Sequence, residues 1–270
     1  MKQGKLIGTG ALIFAVILGS VLFLAKCKTE TPQDTKKISE AALLKEAETH
    51  EAQGNLLKVK EIYQKLVRDY PQGRFALENQ EKIWNLNMKL LFSARPTPYS
   101  TVHEVKSGDT LGKIAKKIGT TADLIMKSNR LKSDLIRPGM KLRISTAKYS
   151  ILVDKSQNTL TLSSNDEVLK VYRVSTGIDS STPIGAFKVT VKLIDPTWYK
   201  AGAVVLPGSP KNILGTRWLG LSLQGYGIHG TTDPATIGQQ VTAGCVRMLN
   251  KDVEELYTIV PTGTDVTIVD

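Results

Sequence analysis

TAGCVRM at residues 242–248 and GIHGT at residues 227–231 are the stretches that decide the fold of this chain of 270 residues. They contain Cys245 and His229, the only cysteine after residue 27 and the only histidine after residue 103. A cysteine with a histidine is the smallest set of side chains for thiol acyl transfer, because the imidazole removes the thiol proton and the imidazolium then stabilises a thiolate below its usual pKa of about 8.5. Gly244 lets the backbone approach a reacting carbonyl closely, and the amides around Cys245 could form an oxyanion hole. From these residues alone, a buried structural thiol and a core histidine remain the commoner alternative.

Residues 148–270 show the apolar alternation of β-strands, with glycine and proline turns between the alternating runs. The alternating positions are Tyr149, Ile151 and Val153; Leu160 and Leu162; Phe187, Val189 and Val191; and the run Val266–Val269. A period of two places such residues on one face of a strand. Because helical segments do not alternate with these strands, we predict a mainly β domain, built as a β sandwich or barrel.

Seven short motifs follow one another in the same part of the chain. They are VSTG (174–177), TPIGAF (182–187), DPTWY (195–199), PG (207–208), NILG (212–215), IHGT (228–231) and GCVRM (244–248). In this order they resemble the L,D-transpeptidase catalytic domain of the YkuD type, over the span from about residue 149 to residue 270. So many ordered matches make a chance resemblance improbable.

The resemblance implies a role for each residue around the thiol. Cys245 would attack the carbonyl of the third residue of a peptidoglycan tetrapeptide stem and release the terminal D-alanine. His229 would act as general base and then as general acid, with the Gly230 carbonyl orienting its imidazole. The amides of Gly244 and Cys245 would bind the oxyanion. A second stem amine would then accept the acyl group and form a cross-link, with no cofactor and no metal.

Three further residues are assigned to substrate binding. Arg247 would hold a substrate carboxylate, with an ordinary surface charge as the alternative. Thr242 takes the Ser/Thr position of the motif and would support the loop. Trp198, with Tyr199 and Trp218, would line the cleft or fill a core, and core filling is the commoner fate of such aromatic residues.

One position departs from the family pattern. Ala243 stands where the family usually has a histidine just before the Gly-Cys pair. That histidine is not the general base of the family, so loss of activity does not follow, although substrate preference could differ. An inactive descendant is the alternative, against which the presence of both Cys245 and His229 argues.

Residues 101–147 form a second module with a different pattern. In its strand–helix–helix–strand order it resembles a LysM domain, and four features carry the resemblance: VKSGDTL (105–111), IA (114–115), Asn129 and PGMKL (138–142). The resemblance implies binding of N-acetylglucosamine-containing glycans in a groove between the loop before Pro138 and the turn formed by Gly108, Asp109, Thr110 and Leu111. Residues 101–150 hold eleven Lys/Arg against four Asp/Glu, a net charge of +7 that suits an anionic cell wall. A LysM-shaped spacer without glycan affinity is the alternative.

The N-terminal residues are predicted to anchor and space the two modules. Leu6–Ala25 is uncharged, mostly apolar and as long as the roughly 20 residues that cross a bilayer core, so residues 1–28 are predicted to be an uncleaved, single-pass membrane anchor. A cleaved signal peptide is the alternative, against which the lack of a small-x-small cleavage site argues. Its orientation follows from function, with the catalytic domain outside the cytoplasm, in the periplasm or cell wall. A linker (29–38), a helical segment resembling a tetratricopeptide (TPR) repeat (39–93) and a second linker (94–100) follow. The helical segment is a spacer or, alternatively, binds a protein partner.

The net charge of +11 would suit nucleic acid, anionic lipid or an anionic wall polymer. Nucleic acid is the weaker interpretation, because no helix-turn-helix, zinc-finger or aromatic RNA-binding signature is present. The leading prediction is an L,D-transpeptidase that the LysM module tethers to peptidoglycan. The alternatives are an L,D-carboxypeptidase, in which water attacks the thioester, and a non-catalytic wall-binding protein.

Overall fold

The computed structural model of the protein describes residues 39–165, 167–200 and 202–270. Within these ranges no helix is both long enough and apolar enough to cross a bilayer. The predicted membrane anchor (1–28) and the first linker (29–38) lie outside the described residues, so both stay predictions.

Six α-helices and fourteen β-strands make up the described part of the chain. The helices are α1 (Glu40–Ala52), α2 (Leu56–Asp69), α3 (Ala76–Leu91), α4 (Leu111–Ile118), α5 (Ala122–Ser128) and α6 (Asn250–Ile259). The strands are β1 (Ser100–Glu104), β2 (Lys141–Ser145), β3 (Tyr149–Asp154), β4 (Thr159–Ser164), β5 (Glu167–Arg173), β6 (Thr176–Gly177), β7 (Gly185–Ile194), β8 (Trp198–Lys200), β9 (Ala203–Val205), β10 (Arg217–Leu221), β11 (Gly227–His229), β12 (Gln240–Thr242), β13 (Val246–Arg247) and β14 (Asp265–Val269).

Helices α1 to α3 pack around a small core of their own. Its buried members are Leu43, Ala47, Val59, Ile62, Tyr63, Leu66, Ile83 and Leu86. Ser39 starts α1 by accepting a hydrogen bond from the Ala42 amide at 3.2 Å. Helix α2 ends just before Tyr70-Pro71, because a residue that precedes proline is disfavoured in helical conformation.

The second half of α3 packs against the C-terminal sheet. Met88 and Leu91 are buried in the same core as the strands of that sheet. The Asn87 side-chain amide donates to the carbonyls of Val168 and Leu169 at 3.3 and 3.0 Å. Both carbonyls belong to β5, the last strand of the sheet, so α3 covers part of an edge that would otherwise be open to pairing. The last helix of the predicted spacer therefore packs against the C-terminal domain, and its spacer and partner-binding interpretations both stay predictions.

The module of residues 101–147 has the predicted order of strand, two helices and strand, and β1 pairs antiparallel with β2. Thr110 starts α4 by accepting from the Lys113 amide at 3.2 Å. Thr121 starts α5 in the same way, accepting from the Leu124 amide at 2.9 Å. These threonines satisfy amides that the first helical turn leaves without partners.

This module contacts the rest of the described chain through buried side chains. Arg143 on β2 is only 5% exposed and donates to the Leu91 carbonyl at 2.8 Å, where a cation suits the C-terminal end of α3. Leu124 on α5 belongs to the core of the C-terminal domain. The Thr121 hydroxyl donates to the Thr258 carbonyl of α6. The module is thus packed directly onto its neighbours as well as joined to them by the chain.

Eight strands of the C-terminal domain form one mixed sheet in the order β13-β11-β10-β7-β14-β3-β4-β5. Neighbouring strands are antiparallel except the pairs β11–β13 and β14–β3, which are parallel. Helix α6 packs on one face of this half-barrel sheet and places Val253, Leu256 and Ile259 in its core. The domain is mainly β, as predicted. The sandwich form of the prediction is wrong, because α6 covers the face that a second sheet would cover.

Candidate active site

The two motif stretches lie on adjacent strands at one end of the sheet. In the parallel pair β11–β13, Ile228 stands opposite Val246 and His229 opposite Arg247. Ile228 and Val246 are buried in the core, so strand alternation places His229 and Arg247 on the other face. Cys245 comes just before β13, two positions from Arg247, and therefore faces the same side. From strand spacing and rise, the Cα atoms of Cys245 and His229 are about 8 Å apart.

The Cys245 thiol lies in a partly buried setting made largely of backbone groups. Its Sγ donates to the Gly225 carbonyl at 3.7 Å. Burial raises the pKa of Cys245, and the Gly227 amide and the charge of Arg247 oppose that effect only in part. At neutral pH the thiol therefore keeps its proton until a base removes it.

His229 is almost fully enclosed, with 2% of its surface exposed. Its Nδ1 lies 2.6 Å from the Gly230 carbonyl, which can only accept a hydrogen bond, so Nδ1 carries the hydrogen and Nε2 is the free base. The pKa of His229 is lowered to about 4, mainly by burial and also by Arg247, whereas the backbone carbonyls of Gly230 and Leu214 act in the opposite direction. The imidazole is therefore neutral at physiological pH.

The predicted stabilisation of a thiolate by an imidazolium is corrected by this geometry. The partner of Cys245 Sγ is the Gly225 carbonyl, and no hydrogen bond joins Sγ to His229 within the described residues. The raised pKa of the thiol and the lowered pKa of the imidazole both favour a neutral pair. The physical reason is burial, which disfavours the charged form of each group.

Trp218 supports the imidazole from the neighbouring strand β10. It stands opposite His229 in the antiparallel pair, and the two rings are stacked with centroids 5.8 Å apart and planes 19° apart. Gly227 makes room for this ring, because a Cβ atom there would lie 2.5 Å from it. Trp198, the tryptophan assigned to substrate binding, lies instead on the separate β8–β9 hairpin. Of the two, Trp218 is the tryptophan whose ring is stacked on the His229 imidazole.

The loop from Thr242 to Cys245 is held by one side chain. Gly244 has φ +127°, and a Cβ there would lie 2.7 Å from the Tyr226 ring, so the turn needs glycine. Thr242 is buried, and its hydroxyl accepts from the Gly244 amide at 3.2 Å and donates to the Cys245 carbonyl at 2.6 Å. Thr242 therefore supports the loop through both hydrogen bonds of its hydroxyl, and its assignment to substrate binding stays a prediction.

The hydrogen bond between the Gly244 amide and the Thr242 hydroxyl changes which amides are available to form the predicted oxyanion hole. The Gly244 amide is engaged by the Thr242 hydroxyl at 3.2 Å, so in this structure it is not free to bind an oxyanion. The Cys245 amide is left as the candidate donor from that predicted pair. The correction follows from the tight turn, which points the Gly244 N–H back towards residue 242.

Arg247 lies half-buried beside the reacting pair. Its Nη1 donates to Thr236 Oγ1 at 2.9 Å, while its buried Nε has no hydrogen-bond partner among the described residues. Its charge lowers the pKa of both Cys245 and His229. The guanidinium is therefore placed to attract an anionic group of a ligand close to the thiol.

The predicted glycan-binding turn of the 101–147 module is only partly accessible. Gly108 and Thr110 are exposed, and Asp109 Oδ2 lies 2.8 Å from His103 Nε2. Leu111 is 2% exposed and belongs to the core of the module. As the first residue of the amphipathic helix α4, Leu111 fills that core, so the accessible part of the predicted glycan-binding turn is formed by the three residues before it.

The enclosed imidazole makes the stability of the protein sensitive to acid. The usual pKa of histidine is about 6.5, and that of His229 in the folded protein is lowered to about 4. Between these values the unfolded chain binds the extra proton, so the free energy of unfolding falls as the pH falls. From pH 7 to pH 4 we expect the wild type to lose about 3 kcal/mol more than His229→Gln in urea unfolding. Parallel pH dependences for the two proteins would contradict this.

Comparison with known proteins places this geometry in a family context. The L,D-transpeptidase catalytic domain (YkuD) matches residues 148–268, and the LysM domain matches residues 103–145. A Bacillus subtilis protein named as an L,D-transpeptidase, YkuD, is 39% identical over 173 residues, which are 62% of this chain and 97% of that protein. YbiS of Escherichia coli K12, also named as an L,D-transpeptidase, is 36% identical over 107 residues, 34% of this chain and 35% of the relative. A solved L,D-transpeptidase from Mycobacterium smegmatis covers 49% of this chain and 64% of its own, at 21% identity and a TM-score of 0.40.

Fold and site together define a half-barrel β domain with a cysteine loop beside a buried histidine, attached to a LysM domain. Both resemblances predicted from sequence motifs are confirmed. The chain belongs to the L,D-transpeptidase family.

Proposed function

We propose that this protein is a peptidoglycan L,D-transpeptidase that works through a thioester on Cys245. The observation that carries the proposal is that Cys245 directly precedes β13 while His229 lies on the adjacent parallel strand β11, so the two residues meet at the same end of the sheet. The Gly230 carbonyl holds Nδ1 of the imidazole and leaves Nε2 unprotonated, as a general base requires. Membership of the family supplies the substrate class, the peptide stems of peptidoglycan.

In the first half-reaction Cys245 and His229 start as neutral groups, and they become charged only as the bond between Sγ and the stem carbonyl carbon forms. Rotation about χ1 frees Sγ of Cys245 from the Gly225 carbonyl, and Nε2 of His229 takes the thiol proton as sulfur attacks the stem carbonyl carbon. The resulting oxyanion accepts a hydrogen bond from the Cys245 amide. When the intermediate collapses, the carbon–nitrogen bond breaks and the imidazolium gives its proton to the amine of the departing D-alanine.

In the second half-reaction an amine of another stem attacks the thioester. His229 takes a proton from that amine, the new amide bond forms, and the carbon–sulfur bond breaks with return of the proton to the thiol. Water in place of the amine would give a carboxypeptidase. Arg247 favours the binding of an anionic group such as a stem carboxylate near Cys245, which supports its proposed role in holding the substrate.

The LysM domain keeps the enzyme on its polymer. Glycan binding by this domain would raise the local concentration of stems without any new contact in the active site. The exposed Gly108 and Thr110 remain the proposed glycan-contacting part of its turn, together with Asp109. The module also packs on α3 and α6, which supports a fixed position of the glycan relative to the catalytic domain.

For the cellular location we propose a single-pass anchor at residues 1–28, in contact with membrane lipid, and a catalytic domain outside the cytoplasm. The uncharged run Leu6–Ala25 supports the anchor, and a peptidoglycan substrate supports the orientation. The TPR-like segment of residues 39–93 is proposed to receive a protein partner on the parts of α1 and α2 that face away from their shared core. Protease digestion of intact spheroplasts measures the orientation directly.

The test of the proposed function is incubation of the purified full chain with a disaccharide-tetrapeptide and mass analysis of the products. Dimers that have lost one D-alanine support transpeptidation. Shortened stems without dimers favour the carboxypeptidase. If neither forms, and a carbapenem gives no covalent adduct, the chain is a non-catalytic wall-binding protein.

A further inference from the structure

Asn250 is the first residue of α6, yet its side chain contacts the backbone around His229 and not its own helix. Its Oδ1 accepts from the Thr231 amide at 2.9 Å and from the Thr216 amide at 3.3 Å. Asparagine commonly caps a helix from the position before its first residue. In α6 that position is Leu249, which makes no side-chain cap hydrogen bond. The oxygen of Asn250 is thus committed to two segments that flank the active site.

One of those contacts reaches the general base through a single peptide unit. The Thr231 N–H and the Gly230 C=O belong to the same planar trans peptide, so they point in opposite directions. Asn250 Oδ1 accepts from this unit on one side at 2.9 Å, and His229 Nδ1 lies 2.6 Å from its carbonyl on the other side. The direction of the carbonyl that holds the imidazole is therefore set by the acceptor at Asn250.

The backbone is shaped to admit this oxygen. A Cβ atom at Gly230 would lie 2.1 Å from Asn250 Oδ1, and one at Gly215 would lie 2.2 Å from it. Neither approach is physically possible for a residue with a side chain, so both glycines are required by the position of Asn250. Two glycines from separate loops thus converge on one side-chain oxygen.

We propose that Asn250 is a positioning residue for the general base, the third member of a hydrogen-bonded series that runs from Asn250 through the Gly230–Thr231 peptide to His229. The proposal rests on the proposed function, in which His229 removes the thiol proton. Hydrogen bonds in series polarise one another, so the accepted Thr231 N–H strengthens the Gly230 carbonyl as an acceptor. This fixes the hydrogen on Nδ1 and keeps Nε2 free to act on Cys245.

The kinetic test compares Asn250→Ala with Asn250→Asp. The alanine variant loses the acceptor, and we expect kcat to fall about 10- to 100-fold with KM unchanged within about two-fold. The aspartate variant keeps an oxygen in the same place, at a helix N-terminus that favours a negative charge, and should stay within about five-fold of the wild type. Its carboxylate stabilises the imidazolium, so the acid limb of its pH–rate profile should move to higher pH.

The matched control is Glu254→Ala, also on α6. Glu254 Oε1 accepts from the Thr216 hydroxyl at 2.6 Å, so its removal loosens the same loop without touching the Gly230–Thr231 peptide. We expect the control to keep the wild-type pH profile and a rate within about two-fold of the wild type. Equal losses in Asn250→Ala and Glu254→Ala, or an aspartate variant as slow as the alanine variant, would overturn the proposal.

A second readout does not depend on turnover. Nitrogen-15 NMR of histidine-labelled full chain reports which ring nitrogen of His229 carries the hydrogen. We expect the Nδ1–H form in the wild type and in Asn250→Asp, and a shift towards the Nε2–H form in Asn250→Ala. An unchanged ring in Asn250→Ala refutes the proposal. If the wild type releases no D-alanine, the proposed function is wrong. The tautomer measurement then still tests, independently of turnover, whether Asn250 orients the His229 imidazole.

Discussion

Cys245→Ala is expected to lower D-alanine release and dimer formation together, by about 10⁴-fold or more. Both half-reactions pass through the sulfur, so no step survives its removal. The fold should be unaffected, because the hydrogen bond that the thiol donates to the Gly225 carbonyl is long, at 3.7 Å, and therefore weak. Release of D-alanine from a disaccharide-tetrapeptide measures the first step, and the intact mass after exposure to a carbapenem measures acylation.

The other cysteine of the chain is the matched control. Cys27→Ala should keep the wild-type rate and the wild-type carbapenem adduct, because Cys27 lies far from the motif in sequence. Dimers that persist at the wild-type rate in Cys245→Ala would refute the thioester mechanism.

His229→Gln is expected to lower the rate of acylation by about 10²- to 10⁴-fold, the usual contribution of a positioned general base. The effect should be large here because burial raises the pKa of Cys245, so the thiol depends on a base for its activation. Stopped-flow measurement of carbapenem acylation separates this step from the later transfer.

The same histidine should determine the acid limb of the wild-type pH–rate profile. The imidazole acts as a base only when neutral, and its pKa is lowered to about 4. The rate should therefore hold down to about pH 5 and fall near pH 4, well below the limb near pH 6.5 of an ordinary histidine.

A histidine outside the catalytic domain serves as the control for this prediction. His50→Gln, on α1, should leave the rate and the profile unchanged. An acid limb near pH 6.5 in the wild type would show that the imidazole is more hydrated than its 2% exposure indicates.

Helix α6 contacts the core of the catalytic domain, the backbone beside His229 and the LysM domain. Its apolar side fills the core under the sheet through Val253 and Leu256, and its first residue holds the peptide beside His229. Its last turn accepts a hydrogen bond from Thr121 of the LysM domain. Changes in the packing of this helix are therefore expected to reach the catalytic base.

Short contiguous motifs were enough to predict the family and the contact of the Gly230 carbonyl with the imidazole, and to single out Cys245 and His229 as candidate nucleophile and base. The loop around Cys245 depends on nearby residues, since Gly244 adopts φ +127° and Thr242 bridges the turn within three residues. Helix caps are equally local, and in the structure Thr110 and Thr121 cap α4 and α5 through amides three residues further on. Helix α6 was missed although Val253, Leu256 and Val260 have helical spacing, because it lies in a part of the chain dominated by strands.

The ring stacked on His229, the anchor of its peptide and the charge state of the pair could not be predicted from local patterns. Trp218 reaches the imidazole through strand register, and Asn250 reaches Thr231 across 19 residues. The neutral thiol and imidazole follow from burial. Register and burial arise when distant segments pack together. The candidate Cys–His pair could therefore be identified from the amino-acid sequence, whereas the orientation and protonation of the two side chains depend on the folded chain.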